Sequence, residues 1–125
     1  MRLRLAALFV VVTLLLSVAP LLAAEPTVLR VVVVQAEDAA AYVKEIDRGR
    51  AIMKRLGSPA EVRVWRARFA GEEAGAIVVS LLYPNLTALA ADDAKMGADA
   101  EFQSWLQGLA KVRKVVSDSL YTEME

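Results

Sequence analysis

Val28-Leu29-Arg30-Val31-Val32-Val33-Val34-Gln35 and Ala76-Ile77-Val78-Val79-Ser80-Leu81-Leu82-Tyr83 decide the fold of this chain. Both runs are apolar at odd and even positions alike. Side chains on a strand alternate between its faces, so such a run is apolar on both and must be covered on both. Four consecutive valines favour the extended state, because β-branched side chains crowd a helix. The two runs are therefore expected to be the central strands of one sheet.

Two weaker runs flank them. Glu61–Phe69 carries Val62, Val64, Arg66 and Arg68 on one face and Arg63, Trp65, Ala67 and Phe69 on the other. Lys114–Thr122 mixes Val115, Val116, Leu120 and Tyr121 with Asp118. This mixed character predicts edge strands. Gly71-Glu72-Glu73-Ala74-Gly75 reads as a hairpin loop.

Helical periodicity fills the gaps. From Asp38 to Leu56 the stripe Ala39, Tyr42, Val43, Ile46, Met53 and Leu56 steps by threes and fours, with Gly49 in its gap. Gly49 on that stripe predicts close approach of helix to sheet. Gly57 and Pro59 stop the helix. Pro84 ends the second central strand, and Asn85 can cap a helix with Leu86, Leu89, Ala90 and Met96 inward. Asp99 can cap another, with Phe102, Trp105, Leu106 and Leu109 inward. A bent helix and two short ones both fit.

The order βαββαβ, with apolar strands one and three and mixed strands two and four, predicts an antiparallel sheet ordered 4-1-3-2. This is the α+β ferredoxin-like arrangement, and right-handed crossovers put the helices on one face. The other face is bare in a lone subunit. Strands one and three alone place at least five large apolar side chains there. Their burial is worth roughly 8–15 kcal/mol, at about 1.5–3 kcal/mol each. The simplest cover is a second copy, face to face.

The first two dozen residues read as an address. Met1-Arg2-Leu3-Arg4 is a short positive head, and Leu5 to Val18 is apolar except for Thr13 and Ser17. Pro20 and then Ala23-Ala24 complete the anatomy of a signal peptide, residues 1–24, cleaved after Ala24. The alternative is an uncleaved anchor over Leu5–Ala24. Without Cys there is no lipoprotein anchor. The chain is expected to be periplasmic or secreted, with one domain over residues 25–125.

Loss of Arg2 and Arg4 leaves 13 basic residues against 15 acidic ones, a net charge of −2. That balance predicts no nucleic-acid partner and, once the leader is cleaved, no membrane partner. His and Cys are both absent. The commonest general base, metal ligands and haem ligand go with them. No metal and no cofactor is expected.

Candidate site residues come from aromatics beside basic groups. Arg63, Arg66 and Arg68 flank Trp65 and Phe69, which suits an anionic organic ligand, but the favoured reading is a solvated edge strand or salt bridges across a dimer. Tyr42, Tyr83 and Tyr121 can donate hydrogen bonds into a cavity or sit as core with the hydroxyl at its rim. Ser117 and Ser119 have no His partner, so no hydrolytic triad exists. The acidic pairs Glu37-Asp38, Glu72-Glu73 and Asp92-Asp93 diverge on strand or helix and form no ready acid–base pair.

Glu61-Val62-Arg63-Val64-Trp65-Arg66, the glycine hairpin to Gly75, Tyr83-Pro84-Asn85-Leu86 and Val115-Val116-Ser117-Asp118-Ser119-Leu120-Tyr121 together carry a resemblance. Over the whole of 25–125 the chain resembles the dimeric α/β-barrel superfamily, which includes antibiotic-biosynthesis-monooxygenase-like and NIPSNAP-like domains. The resemblance implies two sheets facing each other in a dimer, with an apolar cavity between sheet and helices. Haem-binding members use a His that this chain lacks, and no family catalytic residue maps onto a position here.

The function expected is that of an exported homodimer binding a small apolar or aromatic ligand in a sheet–helix cavity near Trp65, Arg66, Phe69 and Tyr83. The alternatives are a cofactor-independent monooxygenase- or isomerase-like enzyme drawing on Tyr83, Arg66 or Asp118, and a pure assembly module.

Overall fold

The computed structural model describes residues 24–69 and 71–125. The expected leader, apart from Ala24, lies outside the described residues. The elements are β1 (Val28–Gln35), α1 (Ala39–Arg55), β2 (Glu61–Arg66), β3 (Ile77–Tyr83), α2 (Leu86–Ala98), α3 (Ala100–Leu109) and β4 (Lys114–Thr122). The sheet is antiparallel throughout and ordered β2-β3-β1-β4, the ferredoxin-like order. The doubly apolar strands lie at its centre.

The helices share one face. Val32 and Val34 of β1 and Ile77 and Val79 of β3 pack against Tyr42 and Ile46 of α1 and Leu109 of α3. Ile52 and Met53 of α1 meet Met96 of α2 and Phe102 of α3 in a second cluster. Val28, Tyr83 and Leu89 form a third, under α2.

Local chemistry sets the boundaries. Asp38 caps α1, its Oδ1 accepting the amide of Ala41 at 3.0 Å, and Asn85 caps α2 through the amide of Ala88 at 2.7 Å. Asp99 decides between one bent helix and two. Its extended backbone interrupts the helical path, and its Oδ2 accepts the amide of Phe102, so α3 begins afresh. The same oxygen accepts from Arg55 at the end of α1, 2.8 Å away.

β2 stops three residues earlier than its alternation suggests. The amide of Ala67 donates to the carbonyl of Ala76, and that of Gly75 to the carbonyl of Ala67, which closes the hairpin there. Arg68 and Phe69 therefore belong to the loop. Gly71 and Gly75 turn it with positive φ, which glycine adopts without a Cβ penalty. A second correction concerns Gly49. A Cβ there would lie 2.2 Å from the Trp105 ring, so the close approach is between α1 and α3, not between helix and sheet.

The face away from the helices is open. Leu29, Val31 and Val33 of β1, Val78 and Leu82 of β3 and Tyr121 of β4 share it by register and alternation. Leu82 is 38 % exposed and Tyr121 57 %. β4 is exposed on both faces, with Leu120 half-exposed on the helix side, because no helix reaches over it.

Candidate functional site

Two places on this frame gather chemistry. The first is a trough of about 400 Å³ on the open face. Leu29, Val31, Val78 and Leu82 form its apolar floor, with Trp65 as one wall and Glu61 and Arg63 at one end. Trp65 stands diagonally across the β2–β3 ladder from Ser80, and its Nε1–H donates to Ser80 Oγ at 2.8 Å. That bond fixes the indole against the sheet, and Trp65 as a residue is still 51 % exposed. Glu61 and Arg63 are paired with each other. An exposed pair like this contributes little stability, but it leaves the trough without an unbalanced charge.

The second is a polar group between the sheet and α2. Asp92 is 2 % exposed. Its Oδ2 accepts from Tyr83 Oη and from Ser58 Oγ, each at 2.6 Å. Ser58 Oγ in turn accepts the amide of Ala60 at 3.2 Å. The other carboxylate oxygen, Oδ1, has no partner. Burial raises the Tyr83 pKa well above the usual phenol range, and the bond to Asp92 adds to the rise. Tyr83 is thus a neutral donor and not a base. Beside it, Arg30 holds Asp118 through two bonds, Nε at 3.0 Å and Nη2 at 2.7 Å, with Asp93 at 4.0 Å. This bidentate bond lowers the Asp118 pKa and raises that of Arg30.

Tyr83→Phe tests the buried group. It leaves Asp92 with Ser58 as its one donor, so a loss of about 1–3 kcal/mol is expected from urea unfolding. A variant as stable as the parent would show that water serves Asp92 as well as the phenol does.

The four residues expected to line one cavity are not brought together. Trp65 lies on the open face, while Tyr83 is buried on the helix face toward the opposite end of β3. Arg66 pairs with Ile77 and alternates to the helix side, where it is exposed. Phe69 stands fully exposed in the hairpin loop. Of the three basic residues around Trp65, Arg63 alone borders the trough. Tyr42 is wholly buried, and its hydroxyl accepts from Arg113 at 3.0 Å. Among the described residues no cluster of three acidic side chains is placed to hold a metal ion.

Sequence reasoning missed Asp92, Ser58, Ser80 and Arg30. A signal existed for two of them. Asp92 lies three residues after Leu89 and four before Met96, on the stripe that α2 buries. Arg30 alternates with Val28 and Val32 on the helix side of an otherwise apolar strand. Ser58 and Ser80 gave none, since serine is common in loops and strands.

No protein-family profile matches this chain, and no curated protein matches it. Solved structures do. SnoaB, a cofactor-independent oxygenase from Streptomyces nogalater, is 16 % identical, superposes with a TM-score of 0.60 and covers 80 % of this chain and 95 % of its own. A NIPSNAP family protein from Agrobacterium tumefaciens is 12 % identical, with a TM-score of 0.60 over 81 % of this chain and 87 % of its own. A dimeric ferredoxin-like protein from an uncultured marine organism is 14 % identical, with a TM-score of 0.53 over 81 % and 98 %. At such identities the likeness is one of fold. The strand order, β2-β3-β1-β4, is the ferredoxin-like one that this likeness of fold describes.

Proposed function

We propose that this chain acts as an exported homodimer, joined through the open faces of its two sheets, which holds a small apolar or aromatic molecule in the trough beside Trp65. The carrying observation is the open face itself: a half-exposed indole stands beside a trough of about 400 Å³ whose floor is Leu29, Val31, Val78 and Leu82. A volume of this size falls in the range of small-molecule sites, which are mostly apolar with a few fixed polar groups. A second copy removes the surface from water and turns an open trough into a closed one. The dimeric state named for the marine ferredoxin-like neighbour supports that arrangement. Export rests on the leader-like residues 1–24.

Tryptophan emission tests the ligand. A panel of hydrophobic molecules is expected to change the emission of the folded dimer, and Trp65→Phe is expected to abolish the change, since Trp105 lies on the helix side. Emission that no member of the panel alters overturns the ligand reading and leaves assembly as the function.

The polar group on the helix side favours a second reading, a cofactor-independent oxygenase or isomerase; the first of these is the activity named for SnoaB. Tyr83 as a neutral donor and Asp118 as a carboxylate supply the polar groups such chemistry uses. Arg66, at the far end of β2, has no part in it. Oxygen uptake or turnover with quinol-like substrates that is unaltered by Asp118→Asn and Tyr83→Phe excludes this group as the active site.

A further inference from the structure

Resting on the trough reading above, we infer that Ser80 is its recognition point, and that the trough selects an uncharged flat aromatic molecule bearing one hydrogen-bond acceptor, such as a ketone carbonyl.

The inference follows from counting donors and acceptors. Trp65 has one side-chain N–H, and Ser80 Oγ takes it at 2.8 Å. A serine hydroxyl also has a proton of its own to give. Among the described residues Ser80 Oγ makes no bond as a donor; Val31 and Arg63 stand opposite it across the two ladders, Glu61, the one carboxylate lining the trough, is held by Arg63, and the remaining lining is Trp65, Leu29, Val78 and Leu82. While the face is wet, water accepts the hydroxyl proton. Once a second copy closes the trough, water is excluded and a hydroxyl without an acceptor is costly. A ligand carbonyl restores the missing bond, and its ring lies along the indole face.

Charge works in the opposite direction for an anion. Arg63 is the one cation bordering the trough, and Glu61 already occupies it. A carboxylate entering the trough gives up its hydration, finds no free cation and meets a second carboxylate. A hydrocarbon of the same shape leaves Ser80 without an acceptor. Uncharged acceptors are therefore favoured over both.

Equilibrium dialysis of the full mature dimer against three probes of one shape decides the matter: 2-acetylnaphthalene, 2-isopropylnaphthalene and 2-naphthoate. The ketone is expected to bind about tenfold more tightly than the hydrocarbon, the net yield of one hydrogen bond. The naphthoate is expected to bind least. In Ser80→Ala the ketone is expected to lose its advantage over the hydrocarbon, which no longer leaves a hydroxyl unpaired. Hydrocarbon binding equal to that of the ketone, naphthoate binding best, or a ketone preference that survives Ser80→Ala each overturns the role of Ser80 while the trough reading stands. Failure of all three probes overturns the trough reading itself. The comparison of probes on the parent protein stands even if Ser80→Ala does not fold.

Discussion

Leu82→Lys is expected to turn a two-subunit particle into single folded subunits. Leu82 sits on the open face at the floor of the trough and is already 38 % exposed in the lone subunit, so little of the subunit's own core depends on it. Its register partner on β2 is Glu61, which gives a lysine an opposite charge directly across the ladder. The subunit therefore keeps its fold. The proposed dimer is not expected to tolerate the change, because isologous contact of the two faces would bring in one lysine from each copy and take both out of water. Misplaced charge of this kind costs several kcal/mol, and each 1.4 kcal/mol is a factor of ten, so weakening of order 10³ is expected. Light scattering at micromolar concentration reads the result. Phe69→Ser is the control: it removes a fully exposed aromatic from the hairpin loop, away from the sheet, and leaves the particle at two subunits. A Leu82→Lys protein that remains a dimer, or a parent that is already a single subunit, overturns the face-to-face assembly.

The same open face explains why the sheet was legible from the residues. β1 and β3 need cover on both sides, and alternation cannot hide that, so their central place follows from composition alone. β4 keeps its expected bounds, Lys114–Thr122, despite Ser117-Asp118-Ser119 in its middle, because its ladder to β1 runs from end to end. β2 was misjudged at its end. The alternation runs on to Phe69, but the strand depends on its ladder, and the hairpin closes at Ala67. Period shows which face a residue occupies; it does not show where a partner's hydrogen bonds stop.

The site was less legible for a related reason. Trp65 and Tyr83 both looked like cavity aromatics, and each has a polar handle that finds a partner. The partners are Ser80, fifteen residues from Trp65, and Asp92, nine from Tyr83. Pairing of this kind follows from register and helix docking, which no local pattern encodes. Parity along the elements nevertheless held information. Trp65 falls on odd positions of β2 and faces the trough; Tyr83 falls on odd positions of β3 and faces the helices, because β3 and β2 pair with Trp65 opposite Val78. Two residues of like parity on different strands need not share a face.

Gly49→Ala is the second large effect. In an exposed helix interior the exchange would stabilise by about 1 kcal/mol, through helix propensity. Here the added Cβ lies 2.2, 2.5 and 2.8 Å from three ring atoms of Trp105, all closer than non-bonded carbons approach. The ring cannot simply swing away. Its Nε1–H donates to the carbonyl of Glu45 at 2.9 Å, and its face tilts against Phe102 with centroids 5.3 Å apart. Relief requires α1 and α3 to separate, which loosens the cluster of Ile52, Met53, Met96 and Phe102 below them. Overpacking of this kind costs about 1–3 kcal/mol. A domain of this size loses roughly 4–8 °C of melting temperature for each kcal/mol. A fall of about 5–20 °C is therefore expected on a thermal scan. The sign of the coupling identifies the cause. Trp105→Leu alone is destabilising, because it opens a cavity and removes the indole's bond to the Glu45 carbonyl. Adding Gly49→Ala to Trp105→Leu is expected to cost nothing further, or to recover part of the loss, as the methyl enters vacated space and propensity reasserts itself. Equal penalties for Gly49→Ala with and without the indole would place the clash elsewhere, against the sheet that the stripe of α1 first suggested.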